Sequence, residues 1–230
     1  WVPSFLRIFF LIFNFANNSF NSGEVIYKII LPEAKEIDES KYPKHIIDQV
    51  KKINEERSRF EFILTFNKNI SKYKKKESLN QSENNEYKIA LNTFGSEEIY
   101  YNSSEKIFIK KNSSDLIRSN NTANWKTYNE SKKIQSFLVY KATKEVKYSS
   151  RGKEKKKTII AWYCPEIPFN FGPLDNAGLP GLILEINDGE ISYVANKIKL
   201  NKTKTNFVIP KGKTISEEEY LKKIREQSGY

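Results

Sequence analysis

Two side chains in this sequence have types that could do chemistry without a cofactor, and each occurs once: Cys164 and His45. A thiol nucleophile needs a neighbouring base to generate and exploit its thiolate. The one imidazole lies on a helical stretch far along the chain from the thiol. The expectation is therefore an inert, half-buried Cys164 and a His45 on a helix surface or at the edge of a core. One residue of each type also excludes a zinc site of several Cys and His, an iron or copper cluster of the same ligands, and an internal disulfide. Carboxylates offer a second chemistry. Glu166 with Glu185, or Asp175 with Asp188, could pair as acid and base, since glycoside hydrolysis needs two carboxyls at a set separation. Surface solvation is the default state of such acids. Neither a GxGxxG stretch nor a phosphate-binding loop is present, and no EF-hand spacing occurs. The reading is of a protein that is not an enzyme, with no catalytic residue, no metal and no cofactor.

Aromatic rings give a third possibility. Trp162, Tyr163, Phe169 and Phe171 cluster in one short stretch, followed by Leu179, Leu182 and Leu184. Lining a hollow, the four rings could hold an acyl chain or a peptide, as apolar concave sites do. Filling a core is the other use of the same residue types. Both readings stay open at this stage.

The elements that must position these residues are mostly strands. Glu24–Leu31 is rich in β-branched residues and ends at Pro32; Phe60–Phe66 alternates and stops at Asn67-Lys68-Asn69, with Ile70–Tyr73 returning as a hairpin. Lys74–Glu86 reads as a polar loop. Short strands are expected at Tyr87–Asn92, Glu97–Asn102 and Lys106–Lys111, then a longer one at Ile134–Lys147. Ser149–Gly152 reads as a turn leading to a strand at Thr158–Tyr163. Tyr42–Arg57 reads as a helix, with Tyr42, Ile46, Val50 and Ile53 on one apolar face and Ile47 beside them. Ser216–Glu219 forms a capping box, with Ile215 and Tyr220 placed for a hydrophobic staple, so a helix is expected over residues 216–227. Together these give a mostly β (α+β) fold: a single curved antiparallel sheet or half-barrel packed on one or two helices.

The stretch around Gly178 has its own backbone logic. Leu179-Pro180-Gly181-Leu182 suits a type II turn, with Pro180 fixing φ and Gly181 supplying φ > 0. The turn launches a strand in which Leu182, Leu184 and Ile186 point one way and Ile183 and Glu185 the other. Asp188-Gly189 signals a tight hairpin, and residues 190–200 return as the partner strand. The apolar phase of that partner changes between Ala195 and Ile198, which suggests a bulge. Pro165, Pro168 and Pro173 break regular pairing, so Cys164–Ala177 is expected to be an ordered loop.

Charge and the first residues bear on compartment and partner. The formal net charge is +11, carried mostly by lysine. It reads as a solvated surface spread along the chain, not a nucleic-acid site, because base readout and bidentate phosphate contacts favour arginine. Phe5–Ala16 resembles the apolar core of a secretory signal peptide and is too short to span a bilayer, so residues 1–16 are taken as a signal-peptide remnant and 24–230 as one β-rich domain.

At these residues the chain resembles a known family. Gly178-Leu179-Pro180-Gly181-Leu182-Ile183 is the hexapeptide of the GLPGLI family of Bacteroidetes cell-envelope proteins. The Ala161–Pro168 run, Phe171-Gly172-Pro173, Arg59–Asn69 and Phe207–Tyr220 are similar to it as well. Asn176-Ala177 depart from the pattern, where a glycine is expected, as does Cys164, where a hydroxyl residue is usual. The resemblance implies a signal peptide, export to the periplasm or beyond, and no assigned activity. It also suggests a LolA/LolB-like arrangement, a curved sheet around one or more helices with an apolar hollow. Two readings follow. In one, a non-catalytic module binds a lipid or peptide in that hollow. In the other, a structural or assembly partner of an outer-membrane complex docks through exposed loop residues such as Leu174 and Leu179.

Overall fold

The structure is a computed structural model and describes residues 20–31, 42–77, 84–150, 153–189, 191–203 and 205–227. The signal-peptide segment, the Pro32 stop and the Arg151-Gly152 part of the expected turn lie outside the described residues. Twelve strands and three helices follow in the order β1 (Ser22–Ile30), α1 (Lys44–Ser58), β2 (Glu61–Asn67), β3 (Ile70–Lys75), α2 (Asn85–Phe94), β4 (Glu98–Asn102), β5 (Ile107–Lys111), β6 (Leu116–Asn120), β7 (Lys126–Ile134), β8 (Phe137–Ser150), β9 (Lys153–Cys164), β10 (Leu182–Asn187), β11 (Ser192–Asn201), β12 (Thr214–Ser216) and α3 (Glu217–Gln227). All twelve strands join one sheet in the order β12-β6-β5-β4-β3-β2-β1-β11-β10-β9-β8-β7, antiparallel except for the β12–β6 pair.

One connection fixes the shape of this sheet. β6 is next to one edge and β7 is the opposite edge, yet only residues 121–125 join them. Laid flat, the ten strand spacings between β6 and β7 would separate them by about 48 Å. The connection reaches at most about 22 Å when fully extended. The sheet must therefore roll until its two ends approach, and this brings the chain to a curved, nearly barrel-like form without closing it.

Local sequence accounts for most of the elements. In β2, Phe62, Leu64 and Phe66 alternate inward, and the Asn67 side chain accepts from the Asn69 and Ile70 backbone N–H groups at 3.0 and 2.9 Å to turn the chain into β3. Val25, Tyr27 and Ile29 of β1 point into the same core. Tyr27 pairs with Ala195 and Ile26 with Lys197, so Asn196 is the bulge expected from the phase change in β11. The capping box of α3 forms as read: Ser216 N–H donates to Glu219 Oε2 at 2.7 Å and Glu219 N–H donates to Ser216 Oγ at 3.1 Å.

Three expectations are corrected. Tyr87–Asn92 is not a strand but most of α2. Asn84 caps this helix by accepting from Tyr87 N–H at 2.7 Å, and Tyr87 and Ala90 fall on its buried side. The alternation of Tyr87, Ile89 and Leu91 mimicked a strand, but Ile89 points to solvent. The expected strand at Ile134–Lys147 takes in only the last residue of β7 and most of β8, because Gln135 takes φ 54° and reverses the chain. Tyr42 lies before α1 and is exposed, as are Ile46 and Val50 on the helix, while Ile47 and Glu56 are its buried residues. The Glu56 carboxylate accepts from Asn84 Nδ2 at 3.0 Å, so the start of α2 holds the end of α1. No helix among the described residues is long and apolar enough to cross a membrane, which says nothing about strands.

Candidate functional site

The loop from Cys164 to Leu182 is ordered, as its prolines suggest, and it packs against the strand it precedes. Leu182 N–H donates to the Ile167 carbonyl at 3.0 Å, Ile183 N–H to the Phe171 carbonyl at 2.9 Å, and Gly178 N–H to the Asn170 carbonyl at 2.9 Å. These bonds correct the type II turn. Gly181 N–H donates to the Leu179 carbonyl at 2.8 Å, a three-residue turn about Pro180, and Leu182 N–H goes to Ile167 and not to Leu179. Gly181 has φ 156°, yet space is its main constraint, because a Cβ there would fall on the Cys164 carbonyl. Gly178, with φ 97°, is the residue in the loop whose backbone needs a glycine on conformational grounds.

The strand after the hexapeptide also departs from simple alternation. Ile183 pairs with Tyr163 and Glu185 with Trp162, so Leu184 is a bulge residue. Leu182 and Leu184 join the main core, whereas Ile183 and Ile186 share a second cluster with Leu179, Ala161 and Tyr163. Both faces of β10, and of the end of β9 that pairs with it, therefore meet apolar clusters. At the bulge the Ile183 carbonyl accepts from the Tyr27 hydroxyl at 2.6 Å, so β1 satisfies a backbone group in β10 through a side chain.

The four candidate ligand rings go into this packing. Phe169 and Phe171 meet Phe66 with ring centroids 4.7 and 5.8 Å away, and Phe171 meets Tyr101 edge-on at 6.1 Å. Tyr163 is buried beside Tyr140, and Trp162 is half-buried beneath Lys132, whose Nζ lies 4.4 Å from its ring centroid. A fully buried aromatic ring of this kind contributes roughly 1.5–3 kcal/mol by desolvation alone. Leu179 is buried and Leu174 is half-buried against the core, so neither is the exposed apolar loop residue that docking through this loop would need.

The candidate chemical groups do not converge. Cys164 is fully buried, and burial pushes its thiol up; the Glu166 and Ile167 backbone N–H groups oppose this only in part. His45 is exposed on α1. Glu185 binds Lys132 Nζ at 2.6 Å, Asp188 binds Lys157 Nζ at 3.3 Å, and Glu166 is exposed. Among the described residues no three His, Cys, Asp or Glu side chains gather as metal ligands would.

A polar junction that the sequence did not announce forms at Asp175. Its carboxylate meets Lys110 Nζ of β5 at 2.9 Å, and the same ammonium lies 3.5 Å from Glu217 of α3. Desolvation pushes the Asp175 carboxyl up, but the Lys110 charge and hydrogen bond, with Lys144, hold it below its ordinary value. Lys144 is pulled down by desolvation and by Lys110 and Lys157, against the opposing pull of Asp175. Two residues later the Ala177 carbonyl accepts from Trp125 Nε1 at 3.0 Å and from Asn121 Nδ2 at 3.3 Å. The loop thus ties β5, the β6–β7 connection, β8 and α3 together across the opening of the rolled sheet. No spacing motif links Lys110 to Asp175; only the fold brings them together.

Charge is also less evenly spread than the composition suggested. Residues 126–157 hold eleven Lys and Arg against three Glu, which is a surplus of eight in a chain whose total surplus is eleven. The described part of this span is β7, β8 and the first part of β9.

Comparison with known proteins bears on the fold and on the motif segment. Residues 145–185 match the model of a family of unknown function, Porph_ging, which is the GLPGLI family. The resemblance drawn from the hexapeptide holds over that segment, a shorter span than the one taken in above. No curated protein matches the chain. A solved structure of PNGF-II in a P21 space group is similar, with TM-score 0.53, 17% identity, and cover of 88% of this chain and 32% of that one. A second structure of PNGF-II, in a C2 space group, gives TM-score 0.48, 17% identity, and cover of 80% and 28%. The chain thus spans about a third of the length of the solved chain it resembles, and the likeness is one of fold.

Proposed function

We propose that this chain is an exported cell-envelope protein that acts as a non-catalytic docking module and meets its partner with its outer surface. The observation that carries the reading is the packing of the motif loop into the rolled sheet, with Phe169 and Phe171 buried against Phe66 and Tyr101. A LolA/LolB-like carrier works by keeping an apolar hollow open for an acyl chain. Here two of the rings that would line such a hollow are packed on the chain's own aromatics. The fold's likeness to a third of a longer chain supports a module. The pairing of Asp175, Glu185 and Asp188 with lysines, and the enclosed Cys164, support a role without turnover. The partner is a component of the envelope, an outer-membrane protein or a lipid surface.

Fractionation of expressing cells, followed by native mass spectrometry of the extracted protein, tests this reading. The protein is expected in the envelope fraction at the mass of the bare chain. Retention in the cytoplasm would overturn export. A stoichiometric acyl lipid released only on unfolding would overturn docking in favour of carriage in the hollow.

A further inference from the structure

β8 and β9 continue past their neighbours. β7 begins pairing with β8 at Thr143, and β10 stops pairing with β9 at Ile160, so the seven pairs from Lys144–Ile159 to Ser150–Lys153 form a two-stranded ribbon with no strand beside it. Seven residues of antiparallel strand extend about 24 Å.

The register sorts the charge of this ribbon between its faces, because residues directly opposite on antiparallel strands share a face. Lys147 and Lys156 are one pair and share their face with Glu145 and Glu154. That face neutralises itself: Lys147 meets Glu154 at 2.8 Å and Lys156 meets Glu145 at 3.8 Å. The other face carries Lys144, Lys157 and Lys155, the last directly opposite Tyr148, with Val146 and the buried Ile159 toward the base, and none of the ribbon's acids. Lys155 is exposed, the Tyr148 ring is 41% exposed, and Lys157 Nζ lies 5.9 Å from its centroid. Lys157 has one carboxylate partner, Asp188, from outside the ribbon.

We infer that this second face, Lys155 and Lys157 around Tyr148, is a contact surface for the phosphates of an anionic lipid leaflet, an inference that rests on the docking reading above. Lysine is a compact point charge that suits diffuse phosphate contacts and lacks the planar fork of arginine that reads bases. A tyrosine ring between lysines matches the border of a bilayer, where aromatic rings with a polar tip settle at headgroup level and cationic side chains meet the leaflet charge. The base of the ribbon packs on the fold, where Ile159 and Val146 of this face join the second cluster and Lys144 is desolvated near Asp175, so the part free to approach a flat surface is the distal end around Tyr148 and Lys155.

Vesicle binding by the full chain tests the assignment. Vesicles of phosphatidylglycerol and phosphatidylcholine in equal parts are compared with phosphatidylcholine alone, at low and at physiological salt. The pair Lys155→Gln/Lys157→Gln removes the same charge as the pair Lys147→Gln/Lys156→Gln, but from the opposite face. Near an anionic leaflet each lysine is worth about five-fold, so the first pair should weaken phosphatidylglycerol-dependent binding about 25-fold, and the second less than about three-fold. Tyr148→Ser should weaken it independently, and circular dichroism melts confirm that each variant folds. Equal losses in both pairs would reduce the effect to net charge and overturn the assignment. So would absence of binding to phosphatidylglycerol at low salt, or tighter binding to duplex DNA than to the vesicles. Failure of envelope fractionation with intact vesicle binding would count against the docking reading alone, whereas failure in the vesicle assay alone removes this surface and leaves that reading in place.

Discussion

Two buried tyrosines in the same core should respond oppositely to loss of their hydroxyls. Tyr27 is fully buried and donates to the Ile183 carbonyl at 2.6 Å, at the bulge where β10 leaves its ladder with β9. Tyr73 is equally enclosed, yet its hydroxyl has no partner among the described residues. Tyr27→Phe removes a hydrogen bond with a net value of about 0.5–1.5 kcal/mol and leaves a buried carbonyl unpaired, which costs about 1–3 kcal/mol. A destabilisation of about 2 kcal/mol follows, and in a chain of this size that lowers Tm by roughly 4–8 °C. Tyr73→Phe removes a buried polar group that makes no bond, so it should be neutral or stabilising by up to about 1–3 kcal/mol. Urea denaturation of the wild type and both variants measures this directly, provided the m-values agree so that only stability has changed. If Tyr73→Phe costs as much as Tyr27→Phe, shape and not hydrogen bonding governs both sites, and the account of the bulge fails.

Gly181→Ala should cost more than about 2 kcal/mol, since its Cβ meets Cys164 backbone that cannot move aside, whereas Gly189→Ala, with φ 95° and open space, should cost only the left-handed penalty of about 1–2 kcal/mol. Equal costs in a denaturant series would show that the close approach to Cys164 is not limiting. Asp175 has a folded-state pKa below its ordinary 3.8, so its contribution is present above that value and is lost as pH falls through the lowered one. Asp175→Asn should therefore flatten the acid limb of a plot of stability against pH and leave the neutral region with a smaller, salt-sensitive loss; an unchanged acid limb would refute the role given to the Lys110 pair.

What the sequence revealed, and what it hid, follows from where the physical information resides. β2, the Asn67 turn and the α3 capping box are determined by side chains within a few residues of one another, and each formed as read. The bulge at Asn196 was visible because it interrupts an apolar phase. β7 left no such trace: it is an edge strand with polar residues on both faces, so it has no alternation to detect. The Gln135-Ser136 reversal lacks the Asn, Asp or Gly that marks a two-residue hairpin, so Ile134 looks continuous with β8 and the rest of β7 has no local signal. α2 is hidden because Tyr87, Ile89 and Leu91 alternate as a strand would, while its helical signal is a single side-chain cap at Asn84. At the candidate site, the aromatic stretch was found but its occupancy was not, since Trp162, Tyr163, Phe169 and Phe171 have the same types whether they line a hollow or fill one. The Asp175 junction depends on three distant segments meeting, and nothing local encodes that.

The place of β1 in the sheet has a consequence for how the chain is made. Its two neighbours come from opposite ends of the sequence: Glu61–Asn67 follows soon after it, but Ser192–Asn201 is among the last segments to be synthesised. At ordinary translation rates roughly six to twenty-seven seconds separate the two. For that interval one side of Val25-Ile26-Tyr27-Lys28-Ile29-Ile30 presents unpaired backbone along an apolar strand, a template for pairing with a second nascent copy. Lys28 is exposed in the finished fold and interrupts the apolar run. While that edge is open, the Lys28 charge would oppose apolar pairing between copies.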